Sequence, residues 1–340
     1  MDPKKEVPES MQLLPRRAVV VLVVLLAAGT ACSAQTRGAD DAGGDAFNRP
    51  VNLVVPFGPG GGSDQLARIA APALEKSLGV EVPVVNTPGG SGSTGVTSML
   101  SDPPGESAVL YSQDVLIPVA LGAASYRLDE IQGVCRLQEM PSGIMVRSDG
   151  PYRSWEDLAS AARENPGKLK VVTTGQGSAD DVMLAALAEK GFRFRAVPYA
   201  EPGERYAALL GGAVDALYEQ PGDVIDDLES GRMRAVLIFS DRPVEGLEGD
   251  PALGPEIGVD LALDQFRGIV TSRDASPEKV RALERACSSV RESARFQRFQ
   301  RQNFSLPDSY MGAGEFDRYL RTKLEQFEGL AERYGLRKVR

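Results

Sequence analysis

Residues 51–70 constrain the fold of this chain more than any other segment. An apolar run, Leu53-Val54-Val55, stops at Pro56, and the turn Gly58-Pro59-Gly60-Gly61-Gly62 follows. Ser63 and Asp64 then open an amphipathic pattern with Leu66, Ile69, Ala70, Ala73, Leu74 and Leu78 on one face. The order is strand, turn, helix. A turn stripped of side chains lets another group approach the backbone closely. A helix N-terminus presents free N–H groups and the positive end of a dipole, which suits an anion. Ser63 or Asp64 as helix N-cap, worth about 1 kcal/mol, accounts for that residue. It does not account for three successive glycines, whose ordering costs backbone entropy.

The same rhythm runs on. Residues 80–85 read as a second strand, 86–95 as a glycine-rich loop, 94–100 as a helix and 108–112 as a third strand. This βαβαβ order points to an α/β fold with a parallel sheet covered by helices. Further on, 143–146 reads as a strand, and Ser154 caps a helix through residue 162 with Asp157 in the capping-box position. A strand over 170–173 then leads through Thr174-Gly175-Gln176-Gly177-Ser178 into a helix over 179–190. Strands at 195–198, 213–218 and 234–239 alternate with helices at 202–211 and 224–230, and helices at 276–292 and 315–334 follow. There are thus two strand–glycine turn–helix units, near residues 58 and 175.

The 340 residues leave room for two domains. A net charge of −9 argues against nucleic acid, which needs a basic face. The chain has no histidine, which removes the commonest general base and the commonest zinc ligand. Ser63, Ser91, Ser112 and Ser178 therefore lack the usual activating partner. Cys32, Cys135 and Cys287 are too scattered for a metal motif or a disulfide framework, and two buried free thiols at 135 and 287 are favoured over a bridge. Gly90-Ser91-Gly92-Ser93-Thr94-Gly95 is a G-x-G-x-x-G, whose dinucleotide reading wants an acid on a strand end about 20 residues later. Asp114 has that spacing but falls in the expected loop, so a tight turn is favoured, and neither cofactor nor metal is expected. Asp180 and Asp181 read as first-turn acids facing a helix dipole.

The N-terminal segment has the form of an export signal. Arg16-Arg17 precede an apolar stretch over 18–28, too short to span a bilayer with polar flanks. Gly29-Thr30-Ala31-Cys32 resembles a bacterial lipobox, with Gly29 where an aliphatic residue is usual. Lipid attachment at Cys32 is the favoured reading, ordinary cleavage after Ala34 the alternative, and Met11 an alternative start to Met1. Residues 33–48 form a flexible tether. Either export route places the folded part outside the cytoplasm. Around the glycine turns, no Lys or Arg occurs between Arg49 and Arg68, between Lys76 and Arg127, or from Val171 to Glu189. An anion bound by these loops would rely on backbone amides, which suits a small carboxylate better than a polyphosphate.

With these residues in view, the chain resembles the Bug or TctC-type substrate-binding proteins of tripartite tricarboxylate transporters. Arg49-Pro50-Val51 through Asp64 matches the family's opening strand and P-F-x-P-G-G-x-x-D loop. Val84-Val85-Asn86-Thr87-Pro88-Gly89-Gly90-Ser91-Gly92 matches its second glycine loop. Pro166-Gly167-Lys168-Leu169, Gly175-Gln176-Gly177-Ser178, Val197-Pro198-Tyr199, Leu209-Leu210-Gly211-Gly212 with Asp215, and Gly231 to Val236 match later landmarks.

The resemblance implies a two-lobed type II periplasmic-binding-protein fold: two mostly parallel sheets with flanking helices and a hinge. It implies lobes over 49–147 plus 266–340 and over 148–265, closing on a small carboxylate. Implied ligand contacts are Phe57, Gly60, Gly61, Gly62, Ser63, Asp64, Gly89, Gly90, Ser91, Gln113, Gly175, Gln176, Gly177, Ser178 and Asp215. Implied partners are that ligand and membrane permease subunits, with a monomer expected and no catalysis. A sensor of the same fold is an alternative, and an exported enzyme a weaker one. Three departures add acid or change the loops. Asp181 replaces a frequent His, Tyr199-Ala200-Glu201 replaces Tyr-Lys-Gly, and Pro104-Gly105-Glu106 replaces Pro-Asp-Gly. They favour a ligand with one carboxylate, or a zwitterion whose amine meets Asp181 or Glu219.

Overall fold

The computed structural model describes residues 46–336 apart from 176–177, 200, 260–262 and 308. The export signal, Cys32, most of the tether, Gln176 and Gly177 lie outside the described residues.

The first half of the chain alternates β1 (Asn52–Val55), α1 (Gly62–Leu78), β2 (Val84–Asn86), α2 (Ser93–Ser101), β3 (Ser107–Ser112), α3 (Gln113–Ala120) and β4 (Ile131–Met140). Next come β5 (Gly143–Arg147), α4 (Trp155–Glu164), β6 (Lys170–Thr173), α5 (Ala179–Glu189), β7 (Arg195–Pro198) and α6 (Pro202–Leu210). They lead to β8 (Ala216–Glu219), α7 (Ile225–Glu229), β9 (Met233–Ile238) and β10 (Ala252–Leu253). The chain then runs through β11 (Gln265–Ser272), α8 (Pro277–Glu292), α9 (Ala294–Gln302) and α10 (Ala313–Arg333).

Two sheets result, ordered β2-β1-β3-β11-β4 and β10-β9-β5-β8-β6-β7. β1 pairs in parallel with β2 and β3, β6 with β7 and β8, and β9 with β10. β11 runs antiparallel between β3 and β4, and β5 antiparallel between β8 and β9, so both sheets are mixed. β4 ends at Met140 and β5 begins at Gly143, so the chain passes to the second sheet between them, ahead of the strand over 143–147. It returns just before β11.

Local pattern explains the first unit. Successive strand side chains point to opposite faces. Leu53 and Val55 of β1 pack with Leu66, Ala70 and Leu74 of α1, while Val54 packs with Val96 and Met99 of α2. A parallel strand covered on both faces is therefore apolar throughout. Ser154 caps α4 as its sequence indicates, accepting from the Asp157 backbone N–H at 3.3 Å.

Sequence pattern does not reveal α3, β4, α9 or β11. The two strands bury polar side chains in mid-run, Arg136 and Gln138 in β4 and Gln265, Arg267 and Thr271 in β11, which breaks the expected alternation. α1 also starts earlier than a Ser63 or Asp64 cap implies: its N-cap is Gly61, with no side-chain cap.

The cysteines correct a second expectation. Cys135 of β4 and Cys287 of α8 are not free thiols but a disulfide, with both residues fully buried and Cα atoms 6.4 Å apart. Their separation of 152 residues hides a pairing that the fold makes direct, because α8 packs on the first sheet. A bridge closing so long a loop restricts the unfolded chain strongly, and it suits an oxidising compartment. Replacing both residues by Ser should lower stability by about 2–5 kcal/mol. Denaturant melts of the variant and of wild type under non-reducing conditions check this; equal midpoints would show that the bridge contributes nothing.

Candidate functional site

The loops that follow the parallel strands gather at one place between the sheets, as expected for ligand sites at carboxyl ends of strands. A small cavity of about 40 Å³ lies there, lined from the first sheet's side by Phe57, Gly58, Gly61 to Asp64, Asp114 and Arg267. Thr174, Pro202, Arg205, Tyr206, Glu219, Gln220 and Asp223 line it from the second sheet's side.

The glycines of the first loop are where the two sides meet. A Cβ on Gly62 would overlap the Asp223 carboxylate, and one on Gly58 would overlap the Glu201 carboxylate. One on Gly61 would stand 2.8 Å from Cγ of Pro202. The missing side chains thus admit groups of the second lobe onto the α1 N-terminus.

Asp64 does not face the cavity with a free carboxylate. Its Oδ2 accepts from Gly60 N and Arg68 Nε, both at 3.0 Å, and its Oδ1 accepts from Asn86 Nδ2 at 3.0 Å. The same Asn86 nitrogen donates to the Phe57 carbonyl at 3.0 Å. Burial pushes the Asp64 carboxyl up, but bonds from Arg68, Gly60 and Asn86 hold it below its ordinary value. Asp64 is therefore the staple of the glycine loop. Asp180 plays the matching part in the second loop, accepting from Thr174 N at 2.8 Å, Thr174 Oγ1 at 2.6 Å and Ser178 Oγ at 2.8 Å. Both Asp180 and Asp181 stand in the first turn of α5, as their spacing suggests.

Two guanidinium groups correct the expectation of a site without basic side chains. Arg267 of β11 is 3% exposed and grips Asp223 through both terminal nitrogens, Nη1 to Oδ1 at 2.9 Å and Nη2 to Oδ2. Arg205 of α6 donates through Nη2 to Glu219 Oε2 at 3.1 Å, and the Tyr206 hydroxyl donates to the same oxygen at 3.2 Å. With its amide oriented to satisfy its neighbours, Gln220 donates to Glu219 Oε1 at 3.0 Å and Asp223 Oδ2 at 3.1 Å. Burial pushes Glu219 up and Arg205 pulls it back, leaving it above the usual carboxylate range. Asp114, which opens α3 rather than a loop, is pushed up to about 7 by burial and then by Asp180.

Several expected contacts come together here: Phe57, Gly61, Gly62, Ser63, Asp64 and Glu219 line the cavity. Gln113 sits beside it, 1% exposed, its backbone N–H donating to Gln265 Oε1 at 3.1 Å. Among the described residues neither polar atom of its side-chain amide finds a partner. Gly60, Gly89, Gly90, Ser91, Gly175, Ser178 and Asp181 are not in the cavity wall. Asp215 lies elsewhere, accepting from Lys170 N at 2.7 Å at the opening end of β6, while the site loops follow the closing ends. Arg205, Asp223 and Arg267 escape sequence reading, although an Arg inside the apolar run Phe266–Val270 is a signal, since a buried charge needs a partner. Among the described residues there is no cluster suited to a metal ion, and no helix is long and apolar enough to cross a membrane.

The model of the tripartite tricarboxylate transporter family receptors, TctC, matches residues 66–336. A Cupriavidus necator protein, described as a UPF0065 protein in the gbd 5' region, is 25% identical over 318 residues, or 92% of this chain and 96% of its own length. The periplasmic binding protein BugD superposes with a TM-score of 0.78 at 22% identity, over 86% of this chain and 100% of that one. MatC from Rhodopseudomonas palustris with bound malate superposes with a TM-score of 0.77 at 23% identity, over 83% of this chain and 99% of that one. The fold is that of the two-lobed periplasmic binding proteins.

A carboxyl raised to about 7 in the folded chain favours folding when protonated. Its contribution is complete below the ordinary value near 3.8 and is lost as pH rises through 7. Asp114→Asn should therefore melt above wild type, by a margin that widens between pH 4 and pH 7 and then levels off. The slope approaches about 1.4 kcal/mol per pH unit. Melting curves across that range check it, and a margin independent of pH would refute it.

Proposed function

Because the chain belongs to the tripartite tricarboxylate transporter family receptors, we propose that it is an extracytoplasmic solute receptor. It takes a small molecule with one carboxylate, or a zwitterion, between its lobes and hands it to permease subunits in the membrane. Relatives of this fold are solute-binding proteins rather than enzymes, and the family is periplasmic. The MatC structure carries malate, which supports a small organic acid as the class of ligand.

The observation that carries the reading is the Gly61–Ser63 start of α1, uncapped by any side chain, facing a second lobe whose groups touch its backbone. First-turn amides there can hold one carboxylate. The lobes are those of the two sheets, and the chain crossings near Pro141–Ser142 and Leu263–Asp264 serve as the hinge. A cavity of about 40 Å³ is far below the ~300 Å³ at which small-molecule pockets begin, so entry requires the lobes to part. Both guanidinium groups on the wall, Arg205 and Arg267, are already paired with Glu219 and Asp223, which leaves a second ligand carboxylate without a counter-charge.

A thermal-shift screen of mono-, di- and tricarboxylates and amino acids, followed by titration calorimetry, tests the reading. Tight citrate binding with none to monocarboxylates or amino acids would overturn the charge assignment. Gly61→Leu, which collides with Pro202 on closure, should weaken binding of any hit at least about tenfold with the fold retained. Wild-type affinity in that variant would remove the loop from the site.

The lipobox-like run Gly29-Thr30-Ala31-Cys32 is what favours lipid anchoring at Cys32, and the oxidised Cys135–Cys287 pair is in keeping with export by either route. Cys32→Ser should move the protein from the membrane to the soluble fraction of its host; an unchanged distribution would favour cleavage after Ala34.

A further inference from the structure

We infer that Asp223 is the residue that sets how many carboxylates the ligand can carry, because its own carboxylate holds the place of a second one. The inference rests on the reading of the cleft as a carboxylate receptor.

Asp223 stands on the turn Pro221–Val224 after β8, and Arg267 on β11, so their contact runs from one sheet's side to the other. The guanidinium meets the carboxylate with two nitrogens on two oxygens, the geometry by which Arg recognises a free carboxylate. The same carboxylate lies against Gly62 at the opening of α1. An Asp side chain thus holds a forked cation that is equipped for a carboxylate, while Gly62, lacking a Cβ, leaves the room it stands in. The second guanidinium, Arg205, is likewise paired with Glu219.

This arrangement decides specificity. A ligand whose first carboxylate sits on the amides of the Gly61–Ser63 turn would bring a second one towards Arg267. There it meets Asp223, a like charge at close range, while both guanidinium groups of the wall are already paired. A monocarboxylate or a zwitterion avoids that conflict. Removing the Asp223 carboxylate reverses the situation, since a buried Arg267 without a partner is costly and a ligand carboxylate can take the vacated place.

The test compares L-malate with L-lactate, which share a 2-hydroxy acid and differ by one carboxylate, on wild type and Asp223→Ala by titration calorimetry and thermal melting. The malate-over-lactate affinity ratio should rise at least tenfold in the variant. Asp223→Ala should also melt several degrees lower than wild type and recover more of that loss with malate than with lactate. Asp223→Asn, which keeps the side-chain size, is measured alongside should the alanine variant fail to fold, and should show a smaller rise of the same sign. A ratio that does not move in either folded variant, or wild type binding malate more tightly than lactate, overturns the assignment of Asp223 while leaving the receptor reading in place. Binding of no acid in the wider screen by wild type or variant overturns both.

Discussion

The Arg267–Asp223 pair is the contact on which the arrangement of the site depends. Both side chains are almost wholly buried, and neither could be so alone. Taking two charges out of water costs several kcal/mol for each, and only good geometry with further hydrogen bonds offsets it. The pair has the forked geometry, and Gln220 adds a donor to Asp223. Its value lies less in net stability than in position. It fixes the turn after β8 against the strand β11, and so fixes how the second sheet's loops meet the α1 N-terminus.

That meeting explains the glycines. Three of them face groups of the opposite side, Gly58 against Glu201, Gly61 against Pro202 and Gly62 against Asp223. Any side chain at Gly62 would push Asp223 off Arg267. Close approach, more than freedom of φ, is what these positions require: Gly61 has φ −78°, which any residue can adopt. These glycines therefore serve a close contact between the two sides.

The first unit of the fold is legible because its causes are local. Leu53-Val54-Val55, the glycine turn and the 3.6-residue pattern of α1 all lie within 30 residues. The capping box at Ser154 is legible for the same reason. Charge near the site was not. Counting Lys and Arg along the loops finds none, yet Arg205 and Arg267 arrive from α6 and β11, far away in sequence. The Cys135–Cys287 bridge was hidden in the same way, by 152 residues of separation. β4 and β11 were obscured because buried polar residues interrupt their apolar runs, and those residues are the ones that hold the interior polar network. One of them, Arg267, lines the cavity between the sheets.

The acids also separate by role once their partners are known. Asp64 and Asp180 look like ligand groups, since each sits in the first turn of the helix after a glycine loop. Each instead turns back to bond its own loop, Asp64 to Gly60 and Asp180 to Thr174. Besides Asp64, the acids that line the cavity are Asp114, Glu219 and Asp223, none of which belongs to the glycine loops. Glu219 and Asp223 are answered by Arg205 and Arg267, while Asp114 is held towards its neutral form by burial and by Asp180. With Asp114 neutral, the wall comes close to charge balance: Glu219 and Asp223 stand against Arg205 and Arg267, and Asp64 is answered by Arg68 outside the wall. Such a wall tolerates the single negative charge that the α1 amides can hold. A second negative charge would compete with Glu219 and Asp223 for the two guanidinium groups they already hold.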